Sequence, residues 1–125
     1  MKIAILIVRI LFGAFMVFAS VAYFFDLVEA EPPTGDLLTF MTGIMASKYL
    51  MPLAKTIELI AGLSLLSGKF MKVTLLALLP ISVNIFLIHT VTQVSEVPVA
   101  VFVLGANLFL IYAHWDSYKD LFKAN

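Results

Sequence analysis

Four long apolar stretches, residues 3–25, 50–66, 73–91 and 98–115, dominate this 125-residue chain. Each is near the ~20 residues that carry a helix across a ~30 Å hydrocarbon layer. The chain is 62% hydrophobic and 13% charged, with a mean hydropathy of +1.07. A soluble domain this small has too little interior to hide so much apolar surface. Lipid as solvent removes the difficulty, because the apolar faces meet acyl chains. No strand-like alternation and no internal repeat is visible. The expectation is an all-α membrane protein. One domain, residues 1–125, forms a four-transmembrane-helix bundle.

The first stretch has some features of a cleaved leader: Lys2 at its start, and Ser20-Val21-Ala22 as a cleavage-like triplet. Arg9 interrupts the apolar run, however, and bulky Tyr23-Phe24-Phe25 follows at once. A retained membrane helix is the expectation. Lys2, Lys69, Lys72, Lys119 and Lys123 fall on one side of the expected bundle. Lys48, Asp26, Glu29, Glu31, Asp36 and Glu96 fall on the other. The positive-inside rule then places both termini in the cytoplasm. Tyr23 and Tyr49 would mark the outer interface, and Tyr112, Trp115 and Tyr118 the inner one.

The longest connection, 26–49, is outside. Its opening is turn-rich, and Asp36 can cap a short helix beginning at Leu37. There Leu37, Phe40, Met41, Ile44 and Met45 recur at helical spacing. They predict an amphipathic helix on the outer face, serving as a cover of the bundle or as a substrate lid. Ser67-Gly68-Lys69 predicts a tight inner turn, with Gly68 as the helix stop. The tail from Asp116 is expected to continue as a surface helix.

Two charges stand within the apolar stretches. Arg9 is in the first and Glu58 in the second, and such residues need partners or a task. The second stretch is marginal as a span. Its eight Leu and Ile residues contribute ~−2.5 to −5 kcal/mol, and Lys55 with Glu58 can take back ~+5 kcal/mol. Its charged face must therefore look into the bundle. Two partners compete for Glu58. Lys55 is three residues away on the same face. Arg9, at ~9 Å depth against ~15 Å for Glu58, could bridge with its long side chain. Gly13 beside Arg9 and Gly62 beside Glu58 allow close helix approach.

Asn84 sits at a depth similar to Glu58, and His89 lies near the outer interface at the level of Lys55. Arg9, Lys55, Glu58, Asn84 and His89 thus form the candidate ligand-binding or buried polar cluster. No catalytic residue is assigned. Pro80 frees a carbonyl near Leu76, and Asn107 reads as interhelical glue. A bis-histidine haem does not fit, because His89 and His114 fall at opposite ends of their helices. Separated histidines, one membrane glutamate and no cysteine give no metal-ligand pattern. The absence of cysteine also excludes thiol catalysis and iron–sulfur ligation by this chain. Zero net charge without a basic stripe argues against nucleic acid. Neither a Ser-His-Asp set nor a phosphate loop appears.

Residues 9–13 (Arg-Ile-Leu-Phe-Gly) and residues 53–62, from Leu53 through Lys55 and Glu58 to Gly62, form an ordered pattern with later segments. Those segments are residues 77–85 with Pro80 and Asn84, then His89, and the closing Trp115-Asp116-Tyr118 region. The pattern resembles the DoxX family of small four-helix bacterial membrane proteins over nearly the whole chain. Some members of that family are linked to membrane redox systems, including thiosulfate:quinone oxidoreductase subunits. The resemblance implies an accessory or quinone-associated subunit, with quinone as the candidate ligand and no covalently bound cofactor. The lipid bilayer is the first partner. Membrane redox proteins and a second copy of the chain are the candidate protein partners. With no redox centre of its own, the chain is not expected to be an enzyme alone. Two other readings stand beside this one. The first is a small proton-coupled transporter using Glu58. The second is a structural scaffold in which Arg9, Lys55 and Glu58 merely satisfy one another.

Overall fold

The computed structural model describes residues 1–27, 32–92 and 96–122. Glu29, Glu31 and Lys123, used above in assigning sidedness, lie outside the described residues. The described chain is helical throughout, without strands. It runs α1 (Lys2–Phe25), α2 (Gly35–Ser47), α3 (Leu50–Ser67) and α4 (Met71–Leu87). A π-helical turn (Ile88–Thr92) continues α4. Then follow α5 (Val97–Ala113), α6 (Trp115–Tyr118) and a 3-10 turn (Lys119–Phe122).

Three described helices are long and apolar enough to cross a membrane: α1, α3, and α4 with its π turn. A fourth candidate appears if α5 is counted with the segment Trp115–Leu121, from which it is bent by 80°. The fourth apolar stretch therefore does not run straight to Trp115. At the bend the His114 backbone N–H reaches the carbonyls of Leu110 and Ile111, and its ring Nδ1 lies 2.8 Å from the Leu110 oxygen. A carbonyl only accepts, so Nδ1 carries the proton of that bond.

α1 packs against α3 and α5, and α4 packs against the same two, so the four helices close a ring. Phe12, Met16, Leu65, Leu75, Leu78, Val103 and Leu110 fill its centre. Phe102 meets Phe12 and Phe15 edge-on, with ring centroids 6.3 and 6.1 Å apart. Leu11, Phe18, Ile60, Leu63, Val73 and Tyr112 project outward. That outward apolar skin suits a protein surrounded by lipid.

α1 and α3 run antiparallel and meet at two glycines. A Cβ on Gly62 would fall 2.7 Å from Val17 Cγ2 and 3.0 Å from the Gly13 carbonyl oxygen. A Cβ on Gly13 would fall 2.9 Å from Leu65 Cβ. Backbones this close exclude any larger residue at the crossing.

α4 and α5 are joined by polar contacts. Asn107, fully buried, donates from Nδ2 to the Leu75 carbonyl (3.2 Å) and accepts at Oδ1 from Ser82 Oγ (2.8 Å). The bond to Leu75 sits next to the Leu76 carbonyl, whose helical donor Pro80 cannot supply. The α3–α4 turn is pinned in the same way. Gly68, at φ +78°, ends α3, and its N–H donates to the Ser64 carbonyl (2.8 Å). Ser64 Oγ donates to the Lys69 carbonyl, so its 2.7 Å contact with Thr74 Oγ1 is a bond donated by the threonine.

Two expectations change. α2 starts at Gly35, where φ is +62°, two residues before Leu37, and no side chain caps it. Glycine admits the left-handed backbone that lets the helix begin early, leaving Asp36 inside the first turn. Tyr118, expected to mark the inner interface, is fully buried within the protein. Its hydroxyl lies 2.8 Å from the Lys72 carbonyl and 3.2 Å from that of Met71, tying α6 back onto the start of α4.

Candidate functional site

A cavity of about 400 Å³ lies between α2, the first half of α3 and the second half of α4. That volume is within the ~300–1,000 Å³ typical of small-molecule sites. Its walls are mostly apolar. Phe40, Met41 and Ile44 come from α2, Met51 and Ile57 from α3, and Pro80, Ile81 and Ile85 from α4. Three polar side chains interrupt them: Lys55, Glu58 and Asn84.

Helical spacing puts these groups on one wall. Lys55 and Glu58 are one turn apart on α3, and Ile81, Asn84, Ile85 and Ile88 follow a single stripe of α4. Glu58 lies eight residues, ~12 Å, from the first residue of α3. Asn84 lies eight residues from the end of the π turn. The two therefore meet at matching depth, as their spacing predicts.

Glu58 is only 2% exposed. Its Oε2 is 3.1 Å from Lys55 Nζ, yet no donor is aligned on that oxygen among the described residues. The contact is thus an ion pair without a well-directed hydrogen bond. Burial penalises both charges, and mutual attraction repays this only in part unless the remaining lone pairs are also satisfied. Asn84 is exposed toward the cavity, and its amide has no hydrogen-bond partner among the described residues. Its N–H₂ and C=O remain available to a bound molecule.

The other two members of the expected cluster lie elsewhere. Arg9 does not reach Glu58. Its guanidinium rests against Gly68, ten residues and ~15 Å along α3 from the glutamate. The reason is directional. Helical side chains lean toward their own N-terminus, and α1 and α3 are antiparallel. Arg9 therefore leans toward the α3–α4 turn, and Glu58 leans away from it. His89 sits half-buried on the π turn, whose residue Ile88 lines the cavity while His89 does not. Sequence reasoning missed the size of the cavity, while the helix read as a cover or substrate lid supplies part of its wall. The apolar spacing of Phe40, Met41 and Ile44 was the available signal. No group of three or more His, Cys, Asp or Glu side chains suited to a metal is found among the described residues.

The model of the DoxX family matches residues 4–91, which include all but the first two residues of α1, the whole of α3 and α4, and every residue of the cavity. Comparison with curated proteins and with solved structures gives no significant match. The match spans well over half of the chain and carries both halves of the polar wall. This multi-pass membrane protein belongs to the DoxX family.

Proposed function

We propose that this protein binds an apolar small molecule with a hydrogen-bonding head group, a quinone in the first instance, in the cavity beneath α2. In this reading it serves as an accessory subunit of a membrane redox system. The supporting observation is an apolar cavity that holds a free amide, Asn84, beside the buried Lys55–Glu58 pair. Asn84 N–H₂ and Lys55 Nζ can donate to a carbonyl of the head group. Glu58 can hold or release one proton at Oε2 as the ligand changes its charge. In this reading electron transfer falls to a partner; with no cysteine, the chain itself supplies neither an iron–sulfur ligand nor a thiol relay.

The accompanying topology has four crossings, with α5 and the segment after its bend supplying the fourth. α2 lies on the outer face of a bacterial inner membrane, and both termini are cytoplasmic. The chain has no cysteine, so single cysteines test this cleanly. Cysteines replacing Lys2 and Lys119 should resist an impermeant maleimide in intact cells, and one replacing Gly35 should react. The opposite labelling would invert the topology.

For the ligand, the protein purified in mild detergent is titrated with decylubiquinone and followed by thermal shift. Saturable stabilisation is expected, weakened in Asn84→Leu and altered in pH dependence in Glu58→Gln. Identical titrations for wild type and both variants would remove the cavity from consideration. A scaffold reading has one observation in its favour, the self-neutralising Lys55–Glu58 pair. It predicts no stabilisation by any quinone.

A further inference from the structure

Among the described residues, Arg9 differs from the other membrane charges in having a seat but no counter-charge. Among the described residues no carboxylate pairs with it, and its buried Nε has no hydrogen-bond partner. The seat is Gly68. A Cβ there would fall 2.5 Å from Nη1 and 3.1 Å from Cζ of Arg9. Only glycine leaves this space, and the turn around it is held by the Ser64, Lys69 and Thr74 bonds. The guanidinium is therefore positioned by backbone rather than neutralised.

Its surroundings are basic. Lys69 follows Gly68 directly and is exposed. Lys2, also exposed, lies seven residues before Arg9, two turns along the same face of α1. Lys72 is exposed in the first turn of α4. The acids described at this end are Asp116, whose Oδ1 is 3.5 Å from Lys119 Nζ, and Asp120, which is itself engaged. Arg9 is ~10 Å along α1 and leans back toward the helix start, so its head group reaches the boundary between acyl chains and lipid head groups.

We infer that Arg9, seated on Gly68, binds a phosphate, that of an anionic phospholipid in the leaflet at this end, with Lys69 as second cation. A guanidinium presents a planar fork of N–H donors that matches phosphate oxygens. Basic pockets between membrane helices hold anionic head groups by the same chemistry. A phosphodiester would supply the missing charge to the guanidinium.

The test uses full-length protein in mild detergent, titrated separately with phosphatidylglycerol, phosphatidylcholine and inorganic phosphate. Retention is read by native mass spectrometry and stability by thermal shift. Wild type should retain phosphatidylglycerol in preference to phosphatidylcholine and be stabilised by it. Arg9→Gln should weaken that binding about tenfold or more, as expected for loss of a charge-assisted bond. Arg9→Lys should be intermediate. Gly68→Ala removes no charge but displaces the guanidinium, and should also weaken retention. If Arg9→Gln does not fold, Lys69→Gln, exposed and outside the core, carries the test with a smaller loss. Equal stabilisation by inorganic phosphate would keep the phosphate chemistry and make the soluble ion its source. Equal retention of the two lipids by wild type, or unchanged phosphatidylglycerol binding in Arg9→Gln, Gly68→Ala and Lys69→Gln alike, would overturn the proposal.

Discussion

The two ends of the bundle are built from the same helices by opposite principles. Toward Gly68, α1 and α3 touch backbone to backbone at Gly13 and Gly62, Leu65 and Phe12 are fully buried, and Tyr118 locks α6 onto α4. Toward α2, α3 and α4 separate around about 400 Å³ of space, and α2 has no fully buried residue. The charges follow the same division. Arg9 is held by a backbone seat at the closed end, whereas Glu58 is paired within its own helix at the open end. A small membrane protein can therefore keep rigidity and ligand space apart along one helix. In α3 the change comes within a single turn, between Glu58 and Gly62.

The largest break in this contrast should come from Gly62→Val. The added side chain would collide with the Val17 side chain and with its backbone nitrogen, 2.9 Å from the first added carbon. Overpacking of this kind costs about 3 kcal/mol, read as a lower midpoint in denaturant titration of the detergent-solubilised protein. Joint replacement of Lys55 and Glu58 by leucine sharpens the other side. Stability should stay within about 1 kcal/mol of wild type or rise, because a buried pair exchanged for apolar residues is often neutral. Quinone stabilisation should disappear. A collapse of the fold instead would make the pair structural. Tyr118→Phe removes the hydroxyl that reaches Lys72 and Met71, and should cost about 1 kcal/mol by the same titration. Gly43→Ala in α2 should have the smallest effect, because nothing lies within 4 Å of the added carbon. A gain of up to about 0.5–1 kcal/mol is expected from lower backbone entropy in the unfolded chain. A loss would mean that this face of α2 is covered in the assembled protein.

Much of this was legible from spacing. Lys55 and Glu58 share a helical face wherever that helix lies, and Asn84 matches Glu58 in depth by counting residues from the helix ends that flank α2. The apolar face of α2 was visible in Phe40, Met41 and Ile44. That Arg9 misses Glu58 was not, because depth along a helix ignores side-chain lean, and antiparallel neighbours lean apart. Gly68 read only as a helix stop, since nothing local marks a glycine that another helix's arginine will occupy. The burial of Tyr118 depends on an 80° bend at His114 that hydropathy does not register. Cavity volume depends on how far α3 and α4 separate, which no residue pattern encodes.

The seat of Arg9 also sets a clock. Gly68 follows Arg9 by 59 residues in the chain. At ~5–20 residues per second, translation delivers it ~3–12 s after the arginine. For those seconds α1 enters the bilayer with a cation that has no seat, and the arginine must reach back to the interface for water or lipid phosphate. Docking of α1 onto α3 is then a later event between inserted helices.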